Sequence, residues 1–541
     1  MPEPLPVPVE PPPPPSGLAP SPPSESLAAG WSPGACRLEL AVWAVLAALV
    51  VGTYFFQLGQ NPPGLWVDET SVGYNARAIA RTGADEYGTR WPLFFRAFED
   101  YKSPILLYAT APSVGLLGPT PFALRLVPAL FGLSSAAVLL LLLRRLTGRP
   151  RLARWLALLA ALAPCTFSFA RHSVSETCTV GLMLGLSFLA LERWAAAPSA
   201  ARAALTGGLM ALCSYAYTTQ RMFAPMMIVV AGLLFLADPR TRRTIWAFGV
   251  AAAVVTAPYA AFLLMHRGAL TRRFDELSIF RDHPAWTVAA GRFAQHYLDH
   301  LVGLDFLFRT GDPNLRHNIG TGFLPLWMAA PLVLGLWSLW RRRREKLPLF
   351  FLVLMPLAPI PVALTHAESL HASRMTHFFP LALIACAFAL SDFIERARPR
   401  IVVLGLMTCA ALFESEQFLY RYFAHYPAAA QDAFDYGEGA ALQVAFAARR
   451  SDEKIFAPND FFAFDGIRFK YFGDVDPARS RQEMASLGFF RVDSVERLPA
   501  GSIAILPGDS KPRHGEPAEP LGVSPSARDH RPAFTVWRIT R

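Results

Sequence analysis

Residues 62–83 read PPGLWVDETSVGYNARAIARTG, residues 84–108 continue ADEYGTRWPLFFRAFEDYKSPILLY, and PFALRLVPALFG follows at 121–132. Two acidic pairs (Asp68-Glu69 and Asp85-Glu86), a lysine at 102 and an arginine at 125 are set between two apolar runs, 38–57 and 122–143. Each run approaches the roughly 20 residues that cross a bilayer. The stretch therefore reads as a reactive loop tied to a membrane at both ends, with the rest of the chain as its frame.

Composition supports that frame. Of 541 residues, 53% are hydrophobic and only 17% charged, and the mean hydropathy is +0.30. A soluble domain carries about 25% charge, so the chain is expected to be a polytopic α-helical membrane protein. The net charge of +10 does not form a nucleic-acid patch, because the arginines fall in short clusters between apolar runs. The six cysteines all lie in or beside apolar segments, which indicates neither disulfides nor a cysteine metal site.

Residues 1–37 are rich in proline and serine and predict a disordered tail. No secretory signal precedes 38–57, which is read as a retained anchor. Basic clusters at 144–154, 193–202, 240–243, 341–346 and 396–400 each separate two apolar runs. Placing them all in the cytoplasm orients the chain. Pro104 to Gly118 is too short to cross and carries Pro112, so it is read as an interfacial or re-entrant helix. About eleven spans follow: 38–57, 122–143, 152–170, 176–194, 203–219, 222–237, 244–265, 321–340, 347–365, 376–395 and 401–419. The membrane domain is then 38–419, with 58–121 as its first outer loop. From about Tyr420 the pattern changes to short strand-like pieces (454–457, 502–506, 534–539) and helical ones (434–449, 477–487). A small α/β domain over 420–541, on the side away from the cytoplasm, is predicted.

On that topology the polar residues gather outside. The outward segments hold Asp68, Glu69, Tyr74, Asp85, Glu86, Lys102 and Arg125, then Arg171 with Glu176, Tyr217 with Arg221, Asp312 with Arg316 and His317, and finally Arg374. Arginine and lysine grip phosphate at an interface, and ionisable groups near a bilayer are costly enough to mark function. A nearby carboxylate can serve as general base. No phosphate-cradling glycine loop is present, so the energy for a transfer would come from an activated lipid.

Plainer readings stand beside these. Asp68-Glu69 can cap and charge the start of an amphipathic helix. Asp85-Glu86, flanked by Gly83 and Gly88, suits a solvated turn. Lys102 and Arg125 can snorkel to headgroups. His366, His371 and His377 with Glu368 lack a known ligand spacing and read as a solvated loop. Asp312 to His317 reads as a structured loop beside the cavity, and the tryptophans and tyrosines at span ends as an aromatic belt.

At these residues the chain resembles a known family. VDETSVGYNARAIARTG, YKSP and ALRLVPALFG are similar to the amino-terminal module of the GT-C glycosyltransferases. The resemblance is nearest to glycosyltransferase family 39 and its bacterial relatives, among them protein O-mannosyltransferases and the lipid A aminoarabinose transferase. SYAYTTQRMFAP (214–225), RTGDPNLRHNIGTG (309–322) and SRMTHFFPLAL (373–383) resemble the bacterial members. The resemblance covers most of 38–440 and implies inverting transfer from a polyprenyl-phosphate sugar to an acceptor protein, lipid or glycan. It places Asp68, paired with Glu69, in the catalytic acidic position. Lys102 matches a lipid-phosphate lysine of the aminoarabinose transferase, although Tyr-Lys-Ser-Pro stands where that family has Glu-Lys-Pro-Pro. Arg125, Arg221 and Arg374 complete the expected phosphate clamp. Tyr74, Asp85, Glu86, Arg171, Glu176, Tyr217, Asp312, Arg316 and His317 are expected to line the cavity. No cofactor is required, though a divalent metal is compatible. The setting implied is a bacterial inner membrane, with a cytoplasmic N-terminus and a periplasmic C-terminal domain. The alternative is a transporter or flippase of a lipid-linked saccharide, which would place its charges near mid-membrane in paired halves.

Overall fold

A computed structural model of the chain describes residues 33–540 except 99, 175, 366–369, 397–399, 459–460, 462, 478–489, 492–497, 513–516 and 525–531. Most of the expected tail, and the helix expected at 477–487, lie outside the described residues. The chain divides into two compact units, Met1–Ala48 and Leu49–Arg541. The first helix, α1 (Pro33–Phe55), begins four residues earlier than the sequence pattern predicts for the end of the tail.

Among the described residues, seven helical segments are long and apolar enough to cross a membrane: Arg37–Phe55, Pro121–Thr147, Glu176–Ala196, Ile245–Met265, Lys346–Ala363, Phe378–Glu395 and Ile401–Ala429. Pro150–Leu162 and Pro164–Arg171, bent by 59°, make an eighth if they act together. The expected spans 203–219 and 321–340 coincide with shorter helices, Ala200–Leu212 and Ala329–Arg341, and 222–237 with Gln220–Leu236, an apolar helix of 17 residues. Cys213–Tyr215 and Leu326–Met328 tighten into 3₁₀ turns, which shortens two of them. All three keep large apolar side chains exposed, among them Leu205, Val229, Leu233, Val333 and Trp337.

The helical core is packed closely. Trp194 is fully buried between Phe235 and Phe248, with ring centroids 5.1 and 5.3 Å away. Its Nε1 donates to Thr244 at 2.9 Å. A Cβ on Gly207 would lie 2.1 Å from the Phe248 carbonyl, so only glycine permits that helix crossing. The basic clusters are partly paired: Arg145 with Glu192, Arg149 with Glu395 at 2.7 Å, and Arg342 with Asp392.

The 58–121 region builds helix α2 (Val67–Thr82), a hairpin of β1 (Phe95–Ala97) and β2 (Asp100–Lys102), and helix α3 (Pro104–Leu117). Helix α4 (Pro121–Thr147) follows. Gly83 ends α2 in the left-handed region (φ 69°) and donates its N–H to the Ile79 carbonyl, a termination that glycine allows at little cost. Pro104 opens α3 at a position where its missing N–H costs nothing. At 14 residues α3 is too short to cross, as the sequence suggested.

The C-terminal region holds a five-stranded sheet in the order β4-β3-β5-β7-β6. Its strands are β3 (Lys454–Ala457), β4 (Phe490–Arg491), β5 (Ser502–Pro507), β6 (Ala518–Ser524) and β7 (Phe534–Ile539). β3 runs parallel to β4 and β5, whereas β7 is antiparallel to β5 and β6. The expected strands at 454–457, 502–506 and 534–539 are all present, as is a helix at Tyr436–Ala448. Another helix, Ala463–Phe472, packs directly on α2. There Arg77 pairs with Asp474, Lys470 reaches Glu86 at 3.3 Å, and the Tyr471 ring fills the space left by Gly73.

Candidate active site

Asp68 and Glu69 stand in the first turn of α2, where carboxylates complement the helix dipole. Successive helical residues point about 100° apart, and the two acids diverge accordingly. Asp68 faces β2, where Lys102 Nζ donates to its Oδ1 at 2.5 Å and Trp66 Nε1 donates to its Oδ2 at 2.7 Å. Its side chain keeps 29% exposure, against 12% for Lys102. Solvent can reach this pair.

Glu69 turns inward. Neither it nor Arg125 has any side-chain exposure, and their bidentate bonds measure 3.1 and 3.2 Å. Arg125 also donates to the carbonyls of Pro62 (2.7 Å) and Gly64 (2.6 Å), while Glu69 accepts from the Ser173 N–H at 3.1 Å. A buried pair so fully bonded fastens α2 to α4 and to the strand entering α2. The structure thus places Arg125 as a buried brace with no exposed side-chain surface, and Glu69 as its partner, turned away from Asp68.

Lys102 owes its position to the hairpin, in which it faces Phe95 across the ladder. The turn after it is held from two sides. Glu176, buried, accepts from the Ser103 N–H at 3.0 Å, and Arg221 donates to the Tyr101 carbonyl at 2.8 Å. Burial opposes the charge on Lys102, but Asp68, Glu176 and Asp100 outweigh it and hold the ammonium above the usual lysine pKa. Lys102 is thus a fixed cation between two acids. Beside Tyr101 opens a hollow of ≈460 Å³, lined by Arg96, Arg267 and Arg272 among others.

Arg316 covers Trp66, its guanidinium 3.7 Å from the ring centroid. Burial pulls its pKa down, and the charges of Asp435 and Asp68 partly restore it. Asp435 pairs with Arg468. Gly64 has φ 70° and lies so close to the chain at Phe434 and Tyr436 that a Cβ there would sit 2.5 Å from the Phe434 carbonyl. The start of α2 is therefore closed by residues some 370 positions later. Trp66 carried a signal, two residues from Asp68; Asp435 carried none.

The other expected residues scatter. Arg171 is buried, with its N–H groups on the carbonyls of Thr53, Tyr54, Phe56 and Asn61, so it braces the end of α1 and lines no cavity. Tyr74 lies in the α2 core against Tyr471 and Ile467. Asp85 does form a turn, accepting from the N–H groups of Tyr87 (3.0 Å) and Thr89 (2.8 Å), but it is buried and not solvated. Glu86 bonds Asn75 and Lys470. Tyr217 meets Ser373 at 3.2 Å and Arg374 donates to Thr365 at 2.5 Å. His377 is buried on the Ala358 carbonyl, and His366 and Glu368 lie outside the described residues. His371 leaves its expected solvated loop to join Asp312 and His317.

No family model and no curated protein matches the sequence. Solved structures do. ArnT from Cupriavidus metallidurans bound to undecaprenyl phosphate matches with a TM-score of 0.58 at 14% identity, over 91% of this chain and 97% of that one. The chain shares the fold of that protein over most of its length. The apo form of the same ArnT gives 0.53 at 15% identity, over 93% and 98%. The oligosaccharyltransferase AglB from Archaeoglobus fulgidus, in complex with an inhibitory peptide and a dolichol-phosphate, gives 0.50 at 14% identity, over 82% and 64%. At such identities the likeness is one of architecture alone.

Proposed function

We propose that this chain is an inverting membrane glycosyltransferase that takes its sugar from a polyprenyl-phosphate-linked donor. The observation that carries the reading is the Asp68–Lys102 pair, a reachable carboxylate and a fixed ammonium in direct contact. In the transfer, the acceptor oxygen bonds to the anomeric carbon as the bond from that carbon to the phosphate oxygen breaks. Asp68 receives the acceptor proton. The electron pair leaves on the polyprenyl phosphate, whose growing charge Lys102 stabilises. The donor phosphodiester carries one negative charge and competes with the carboxylate for Lys102; a second charge develops on the phosphate as it leaves, so Lys102 turns toward the leaving group while Asp68 takes up the proton. Arg221 holds the chain around Lys102 through the Tyr101 carbonyl and the Ser103 hydroxyl, and Arg316 over Trp66 supplies a second cation near Asp68. A single displacement needs no second catalytic carboxylate, in keeping with a buried Glu69.

The reading extends to a chain seated in a bacterial inner membrane, with the site and the C-terminal sheet on the periplasmic side. The basic clusters support that orientation. The acceptor is a protein, lipid or glycan of the envelope.

The test is transfer in vesicles reconstituted with purified chain and a polyprenyl-phosphate sugar. Asp68→Asn keeps the shape and should slow transfer by about 10²–10⁴-fold. A folded Asp68→Asn protein that transfers sugar at the normal rate would falsify the assignment. Mass spectrometry of envelope glycans and lipids, with and without the chain, identifies the product.

A further inference from the structure

Asp312, His317 and His371 lie outside the chemistry just described, yet they meet. Two come from the 309–322 loop and the third from the residue preceding the short turn Ala372–Met375. Each offers one ligand atom, and the three atoms lie within 4.8 Å of one another. Asp312 Oδ2 is 2.9 Å from His317 Nδ1 and 4.0 Å from His371 Nδ1, and the two rings are 4.6 Å apart. The aspartate side chain is 2% exposed.

The group is held from outside. Asp312 accepts from the Asn314 N–H through Oδ1 and from the Ala372 N–H through Oδ2, both at 2.8 Å. Asn318 ties the loop to itself through the carbonyls of Thr310, Asp312 and Thr321. The His371 N–H is fixed on His300 Nε2 at 3.1 Å, and His371 Nδ1 lies 2.9 Å from Ser373 Oγ. Outer bonds of this kind orient the ligands of metal sites. Two imidazoles and a carboxylate suit a first-row divalent ion, whereas Mg²⁺ and Ca²⁺ take oxygen donors.

We propose that Asp312, His317 and His371 bind one divalent transition-metal ion of the zinc class. Arg316 sits next to one ligand in sequence and stacks on Trp66, the donor to Asp68. The ion therefore pins the loop that presents Arg316 to the candidate active site. The binding claim does not rest on the transfer reaction, and its test reads no transfer.

The full-length chain, purified in detergent and stripped with a chelator, is offered Zn²⁺ or Co²⁺ and then gel-filtered. Retention of about one ion per chain is expected, together with the visible absorption of cobalt bound by nitrogen and oxygen ligands, unmoved by a large excess of Mg²⁺. Asp312→Asn, His317→Asn and His371→Gln should each lower retention about tenfold or more, while His425→Gln leaves it unchanged. The cobalt spectrum of the unaltered chain keeps the test decisive should a variant fail to fold. Absence of retained ion and of that spectrum overturns the proposal, as does retention that the three substitutions leave intact. Displacement by Mg²⁺ overturns the assignment to a transition metal.

Discussion

Glu69 and Asp68 are neighbours in sequence with opposite fates. Truncating Glu69 to alanine leaves the Arg125 charge buried without its partner, a loss of about 3–5 kcal/mol. A melt of the purified Glu69→Ala chain should show that loss plainly; an unchanged melting curve would mean the pair holds nothing. Asp85 yields a prediction with a pH signature. Burial lifts its carboxyl above the ordinary range, so its ionised form opposes folding. That cost is full above the folded-state pKa and vanishes as the pH falls through it. Asp85→Asn keeps an acceptor for both backbone N–H groups and escapes the cost. It should therefore melt higher than the unaltered chain at pH 8, and the gap should narrow toward pH 5. A gap that widens on acidification contradicts the assignment. Asp68 and Lys102 were legible at this scale, marked by type and by setting, and the structure brings them into contact. Arg125 was not, because a snorkelling, a phosphate-binding and a bracing arginine share the same letters and differ only in what surrounds them.

At the scale of elements, the contact between α2 and the Ala463–Phe472 helix invites a steric test. A Cβ on Gly73 would lie 2.5 Å from Cε2 of the Tyr471 ring. Gly73→Val is therefore expected to destabilise the chain by about 1–3 kcal/mol through overpacking. Adding Tyr471→Leu should return part of that loss, and a double variant no better than the single one would show that the two residues do not oppose each other. Element existence was well marked in the sequence. Every expected span has a helix, and three of the expected strands are found, because periodicity and apolar length are local properties. What could not be read was which apolar helices stop short, since Cys213–Tyr215 and Leu326–Met328 tighten without any proline or glycine of their own. The Asp312, His317 and His371 group was hidden for another reason. Its members come from stretches more than 50 residues apart, and only tertiary packing supplies their spacing.

For the whole molecule, the sheet-bearing C-terminal region shares one compact unit with the helical core. Removing residues 423–541 strips α2 of Lys470, Tyr471 and Asp474 together. The truncated chain should elute as an aggregate, or should show the 58–121 region cut readily by protease. Truncated protein with full protease resistance and full transfer would show that this contact serves neither stability nor chemistry. The pairing of distant segments was the least legible part of the fold, because nothing in the composition of 420–541 says which surface it covers. The close approach of Gly64 to the chain at Phe434 and Tyr436 also has a consequence in time. A ribosome delivers the acidic pair and Lys102 hundreds of residues before it delivers the segment that closes the start of α2. A chain still short of that segment holds these groups with the start of their supporting helix uncovered.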